Sequence, residues 1–170
     1  SGIIQNVIIA GDGITVADID PKISVAGITA EHLAGEISDV DVKVEKIGDL
    51  HGGKNQYVAG LVVENRADIT RCSVRSTISG NVVAGAIVYM TEGSDKVVDQ
   101  IFIGKYDDNS FSRNGISGDK YVAGIVFDFR LGTIKNVQAM STIYGASTET
   151  VLSLNTLIFP EGAVMLDVTI

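Results

Sequence analysis

Apolar residues along this chain come in short bursts rich in β-branched side chains, broken by glycine, aspartate or asparagine. Val58 to Val63, Val82 to Tyr89 and Val122 to Phe127 are the clearest. A helix would need apolar residues at i, i+3, i+4 and i+7 over about ten positions, and no such run persists here. The bursts therefore predict short strands, with turns at Ser79-Gly80 and Ser117-Gly118. Two stretches depart from this pattern and are expected to be helical. Thr29 to Ala34 carries good helix formers and ends at Gly35, a residue suited to a C-cap. Ser147 to Leu154 places capping residues ahead of apolar ones.

The bursts recur with a period. An Ala-Gly dipeptide stands in the same context at Ala26-Gly27, Ala59-Gly60, Ala84-Gly85 and Ala123-Gly124. A second element follows each one, an apolar residue, two mostly polar residues and another apolar residue. It occurs as Ile37-Ser38-Asp39-Val40, Ile69-Thr70-Arg71-Cys72, Val98-Asp99-Gln100-Ile101 and Ile134-Lys135-Asn136-Val137, and Ile4-Gln5-Asn6-Val7 opens the chain with a further copy. The first residue of this element falls at 4, 37, 69, 98 and 134, at intervals of 33, 32, 29 and 36. Repeats of this length that cannot bury their own apolar face do so by stacking. The expected fold is all-β, a parallel β-solenoid (β-helix) of about five coils. Residues 1–146 would form the coils and 147–170 a C-terminal cap of the same domain.

Within such a coil the repeat glycines Gly27, Gly60, Gly85 and Gly124 would line one file beside the alanines, where small residues permit close approach. The apolar-x-x-apolar element cannot be a flat strand, because residues three apart point to opposite faces. It is expected to turn a corner that lets both apolar residues point inward. Asp39, Arg71, Gln100 and Asn136 then share one corner position.

These residues resemble a known motif. Tyr57 to Asn65 followed by Ile69 to Val74, and Val122 to Val126 followed by Gly132 to Val137, are similar to the GLUG repeat of bacterial surface proteins. The resemblance covers roughly residues 1–140, most strongly in those two units. Val63, Val88 and Phe127 stand near where the usual repeat has its closing glycine. The wording is closest to the N-terminal, non-catalytic region of the immunoglobulin A-cleaving zinc metalloproteases of Gram-positive bacteria, with related adhesins next. The resemblance implies a secreted or cell-wall-attached parent concerned with virulence. In that setting this segment would present or grip a protein, from the host or from the parent chain, and catalysis would lie elsewhere.

Charge and composition narrow the functional classes. Acids outnumber bases 21 to 13, giving a net charge of −8, a field that repels nucleic acid and anionic membrane surfaces. No apolar run is long enough to span a bilayer. The opening Ser1-Gly2-Ile3-Ile4 lacks Met and any leader-like pattern, so the segment reads as a piece of a longer protein. The single cysteine, Cys72, stands at a core position of the repeat. His32 and His51 are far apart and neither lies in a zinc-protease motif, so no catalytic, metal-binding or cofactor-binding residue is assigned. Asp12, Asp18 and Asp20 do not have the spacing of a calcium loop. The interruption from Lys105 to Lys120 is the expected binding loop, with Tyr106, Asp107, Asp108, Phe111 and Arg113 as contact residues. The alternative function is a fragment of a β-helical polysaccharide-acting enzyme. That reading calls for carboxylates on adjacent coils of one face, and the mixed corner position does not provide them.

Overall fold

The computed structural model describes residues 2–15, 23–49, 56–92, 95–104, 115–145, 147–149, 151–153, 156–158 and 164–169. Among these the chain forms strands and turns and no helix. In chain order the strands are β1 (Gly2–Gly11), β2 (Ile23–Ala26), β3 (Thr29–His32), β4 (Gly35–Ile47), β5 (Gln56–Ala59), β6 (Val62–Asn65), β7 (Asp68–Ala84) and β8 (Ile87–Met90). They continue as β9 (Val97–Gly104), β10 (Gly115–Ala123), β11 (Val126–Phe129), β12 (Thr133–Ala139), β13 (Thr142–Gly145), β14 (Val151–Ser153), β15 (Thr156–Ile158) and β16 (Val164–Thr169).

Every pairing between these strands is parallel, and the strands form two sheets. The first ladder runs β1-β4-β7-β9-β12-β16. A second, in the same sheet, runs through β2, β5, the end of β7, β10 and β14. The other sheet is the ladder β15-β11-β8-β6-β3. Register follows the repeat: Ile4, Ile37, Ile69, Val98, Ile134 and Met165 stack one on the next. The alanines stack likewise, Ala26 on Ala59, Ala59 on Ala84 and Ala84 on Ala123, with Ser153 following. Residues from all three ladders meet in one apolar core, among them Val58, Leu61, Val74, Ile87, Ile116 and Phe129. Cys72 belongs to it at 2% exposure, and burial raises its thiol pKa.

The corner in the apolar-x-x-apolar element has one backbone solution throughout. Asn6, Asp39, Arg71, Gln100 and Asn136 all adopt the left-handed conformation, with φ between 52° and 57°. That single residue turns the chain so that Ile37 and Val40 are both buried, as are Ile69 with Cys72 and Ile134 with Val137. A left-handed non-glycine residue costs about 1–2 kcal/mol, while burying one more Val or Ile contributes about 1.5–3 kcal/mol. The exchange favours the corner. Asn and Asp tolerate the conformation best, and they hold three of the five sites.

The repeat glycines answer a different constraint. The N–H of Gly60 donates to the carbonyl of Ala84 at 3.2 Å, and that of Gly85 to Ala123 at 3.1 Å. A Cβ on Gly60 would stand 2.0 Å from the Gly85 carbonyl oxygen, and one on Gly27 2.0 Å from that of Gly60. Successive repeats touch backbone to backbone at this point.

Three local expectations are corrected. Thr29 to His32 is a strand, β3, because its backbone is captured by β6, with Thr29 on Val62 and Glu31 on Glu64. Ser79-Gly80 and Ser117-Gly118 lie inside β7 and β10 rather than in turns between strands. Gly80 leaves room for Val58, whose Cγ2 would be 2.4 Å from a Cβ there, and the β7–β10 register shifts just after Gly118. Toward the C-terminus Ser147-Thr148-Glu149 is a bend and turn, with the Glu149 N–H donating to Ser147 Oγ, and Val151–Ser153 is a strand. Here too pairing with β10, Val151 on Tyr121, prevails over helix propensity.

Two predictions follow from the backbone. Gly60→Ala should destabilise by at least about 2 kcal/mol through overpacking. Gly2→Ala, where a Cβ meets nothing within 4 Å, should cost under about 0.5 kcal/mol. Urea unfolding of the two variants checks the contrast, and equal losses would show that the backbone contact between repeats is not tight. At the exposed corner residue Gln100, Gly should be neutral or stabilising and Val destabilising by about 1–2 kcal/mol, the reverse of strand propensity.

Candidate functional site

Strand alternation leaves one set of residues facing away from the main core. Val58 and Val83 point into it, so Tyr57, Ala59, Val82 and Ala84 point out. The alanines are nevertheless fully buried. The bend at each Ala-Gly brings the outer side of the next strand over them, and Val63 and Val88 join Ala59, Ala84, Ala123 and Val82 in a second apolar cluster. Val63, Val88 and Phe127 all belong to this cover. A glycine there would leave the alanine file open; the bulkier side chains fill it.

Half-buried aromatic rings finish the cluster on its solvent side. Tyr57 and Tyr89 have centroids 5.5 Å apart, Tyr89 and Phe127 6.0 Å in an edge-to-face arrangement, and Tyr121 and Phe127 5.3 Å. The Lys120 ammonium lies 5.2 Å from the centre of the Tyr121 ring. The rings are tilted against one another, so they form a packed ridge rather than a flat stacking platform. The Tyr89 phenol is pushed well above the ordinary tyrosine range, first by burial and then by the hydrogen bond and charge of Tyr57 and the charge of Asp128.

A charged file borders the ridge. The residue four positions after each repeat glycine is Glu31, Glu64, Tyr89 or Asp128, and Glu31 sits in register on Glu64, Glu64 on Tyr89 and Asp128 on Tyr89. The Arg66 guanidinium binds Glu64 through Nε at 2.8 Å and Nη2 at 2.5 Å, and its Nη1 reaches Glu92 at 2.7 Å. Arg130 grips Asp128 through Nε at 2.7 Å and Nη2 at 2.9 Å. Both arginines stand two positions after the carboxylate they hold. One position further inward is a buried polar pair: the His32 Nδ1–H donates to Asn65 Oδ1 at 2.8 Å, and Asn65 Nδ2 donates to the Ala67 carbonyl at 2.8 Å. These bonds satisfy a file that Met90 and Phe129 continue with apolar side chains.

At the left-handed corner, Arg71 forms a two-pronged pair with Asp39, both bonds 2.7 Å, which holds the Asp39 carboxyl below its usual range and the guanidinium above its own. Asn136 Nδ2 donates to Asp99 at 2.7 Å. Along the corner Arg71 thus pairs with Asp39 and Asn136 with Asp99, each across neighbouring strands.

The expected binding-loop residues Tyr106, Asp107, Asp108, Phe111 and Arg113 lie outside the described residues, as do Asp18, Asp20 and His51. Among the described residues no group of three or more His, Cys, Asp or Glu side chains could hold a metal ion, and no helix is long and apolar enough to cross a membrane. The N–H of Gly27 donates to the Ala59 carbonyl at 3.2 Å and that of Gly124 to the Ser153 carbonyl at 2.9 Å, as Gly60 and Gly85 do to theirs. Sequence reasoning missed the aromatic ridge and the Glu31–Glu64 file. Counting four positions on from each glycine would have found the acids. Comparison with protein-family models, with curated proteins and with solved structures finds no match to this chain.

The ridge makes a pH prediction. Folding favours the neutral phenol of Tyr89, so its contribution is fully present below about pH 10 and is lost as pH rises beyond the unfolded tyrosine value. Urea midpoints measured on either side of about pH 10 should fall with rising pH, and Tyr89→Phe should flatten the fall.

Proposed function

We propose that this chain is a closed parallel β-solenoid of about five coils. In this reading it acts as a non-catalytic structural and protein-binding module of a secreted or cell-wall-attached bacterial protein. The observation that carries the reading is the half-buried ridge of Tyr57, Tyr89, Tyr121 and Phe127 on a rigid, register-locked scaffold. Tyrosines with an apolar body and a polar tip are the side chains protein interfaces favour, and here the backbone beneath them is fixed by two ladders. The GLUG resemblance supplies the setting: a metalloprotease or adhesin that this segment helps to present or grip a host protein. The C-terminal residues 147–170 serve as the covering segment of the same domain.

An enzymatic reading has in its favour two in-register carboxylate pairs, Glu31 on Glu64 and Glu36 on Asp68, although Asp68 accepts the Val97 N–H. Against it, Glu64 and Asp128 are each occupied by an arginine, which suits a structural pair better than a general acid or base.

The test is binding of the purified chain to immunoglobulin A and to other secreted host proteins by surface plasmon resonance, alongside assays for turnover. Saturable binding to at least one protein is expected. It should weaken more than tenfold in a Tyr57→Ala/Tyr121→Ala variant that keeps its melting temperature. No protein or polysaccharide should be cleaved. Hydrolysis abolished by Glu64→Gln would overturn the reading in favour of the enzyme.

A further inference from the structure

The outer side of the first ladder carries two basic residues that the rest of the surface does not neutralise. Val42 and Val74 point into the core, so Lys43 and Arg75 point out, and they stand in register on neighbouring strands. Both are exposed. Of the nine lysines and arginines among the described residues, six are held in ion pairs and Lys120 lies over Tyr121. Lys43 and Arg75 are the remaining two. Like charges directly opposite on paired strands repel, and a chain of net charge −8 has carboxylates to spare. Asp41 and Glu45 flank Lys43 on its own strand, yet Asp41 accepts a hydrogen bond from the Ser73 hydroxyl instead. The row continues at Gly104, in register with Arg75. A Cβ there would lie 2.6 Å from the Phe102 ring, so the ring occupies the space that a side chain at 104 would take. It lies 5.5 Å from the Arg75 guanidinium and steadies that cation. Met140 follows, its N–H donating to the Ile103 carbonyl at 2.7 Å and its side chain exposed.

We propose that this row binds a phosphate monoester carried on an apolar, aromatic body. Its two cations stand on strands about 4.8 Å apart, and together they match the charge of about −1.5 to −2 that such a group bears at neutral pH. Arg75 offers a planar fork to two phosphate oxygens, and Lys43 adds a compact point charge beside it. A single carboxylate neutralises only one of the two. The bound dianion removes the repulsion between them, which is what an unpaired, in-register pair is poised to gain. Phe102 and Met140 border the cations with an aromatic ring and a thioether, a surface that receives an apolar body better than a hydroxylated one. The row lies on the first ladder, apart from the aromatic ridge, and the inference does not depend on the ridge binding anything.

The probe is phenyl phosphate, titrated into the intact chain while amide chemical shifts are followed by nuclear magnetic resonance. Saturable shifts centred on Lys43, Arg75 and Gly104 are expected, with a Kd below about 1 mM. Lys43→Gln and Arg75→Gln should each weaken binding about tenfold, while Lys135→Gln, which removes a cation already paired with Asp99, should leave it unchanged. Either of the first two variants tests the site should the other fail to fold. Inorganic phosphate and glycerol phosphate should bind about fivefold more weakly than phenyl phosphate, and Phe102→Leu should erase that difference. A phosphotyrosine tripeptide that binds at least as tightly as phenyl phosphate places the ester on a partner's side chain, and weaker binding places it on a free small molecule; both support the site. Shifts that rise linearly without saturating would overturn the proposal, as would binding that survives both glutamine substitutions or falls equally in Lys135→Gln. Glycerol phosphate binding more tightly than phenyl phosphate would overturn the aromatic body.

Discussion

The structure depends on a single left-handed residue placed between two apolar ones. In a flat strand the residues of an i, i+3 pair face opposite ways, and half of the apolar side chains in this element would lie in water. Asn6, Asp39, Arg71, Gln100 and Asn136 remove that conflict at the same point of every repeat. Each gives up about 1–2 kcal/mol of backbone preference, and at Asp39, Arg71, Gln100 and Asn136 this lets Val40, Cys72, Ile101 and Val137 join the core. The corner also fixes register, since a strand displaced by one residue would set its corner against its neighbour's straight segment.

Once register is fixed, the rest follows from packing. Ala-Gly units fall one above another, and only residues without a large side chain let successive backbones meet there. The bend at each glycine brings two outer surfaces together, and the chain covers them with Val63, Val88 and Phe127. The result is two apolar clusters on opposite sides of the same strands, the main core and an outer one capped by tyrosines. The outer cluster is the place where the scaffold and the proposed binding surface share residues. Tyr89 shows it: its ring packs against Tyr57 and Phe127 while its position on the ladder belongs to the charged file of Glu64 and Asp128.

Much of the scaffold was legible because it is periodic. The spacing of Ala-Gly and of the apolar-x-x-apolar element gave the parallel ladders, the alanine file and the shared corner before any coordinates. Local propensity misled where pairing prevailed. Ala30, Glu31, His32 and Leu33 are acceptable in a helix, yet hydrogen bonding to β6 makes residues 29–32 a strand. Ser-Gly at positions 79 and 117 resembles a turn, but the glycine there relieves crowding against Val58 and Val122 within a strand. The aromatic ridge was hidden because its members occupy unlike offsets from the repeat glycine. Tyr57 and Tyr121 stand three residues before it, Phe127 three after and Tyr89 four after, and only the bend brings those offsets together.

The central claim is that equivalent residues of successive repeats lie directly over one another. Nuclear magnetic resonance on a chain with labelled alanine methyl groups tests it most directly. Parallel neighbours stand about 4.8 Å apart, so Ala59 should show methyl contacts to both Ala26 and Ala84, and Ala84 to Ala123, in one unbroken series. Alanine methyls that instead contact residues of their own segment, or partners shifted by one position, would contradict the account.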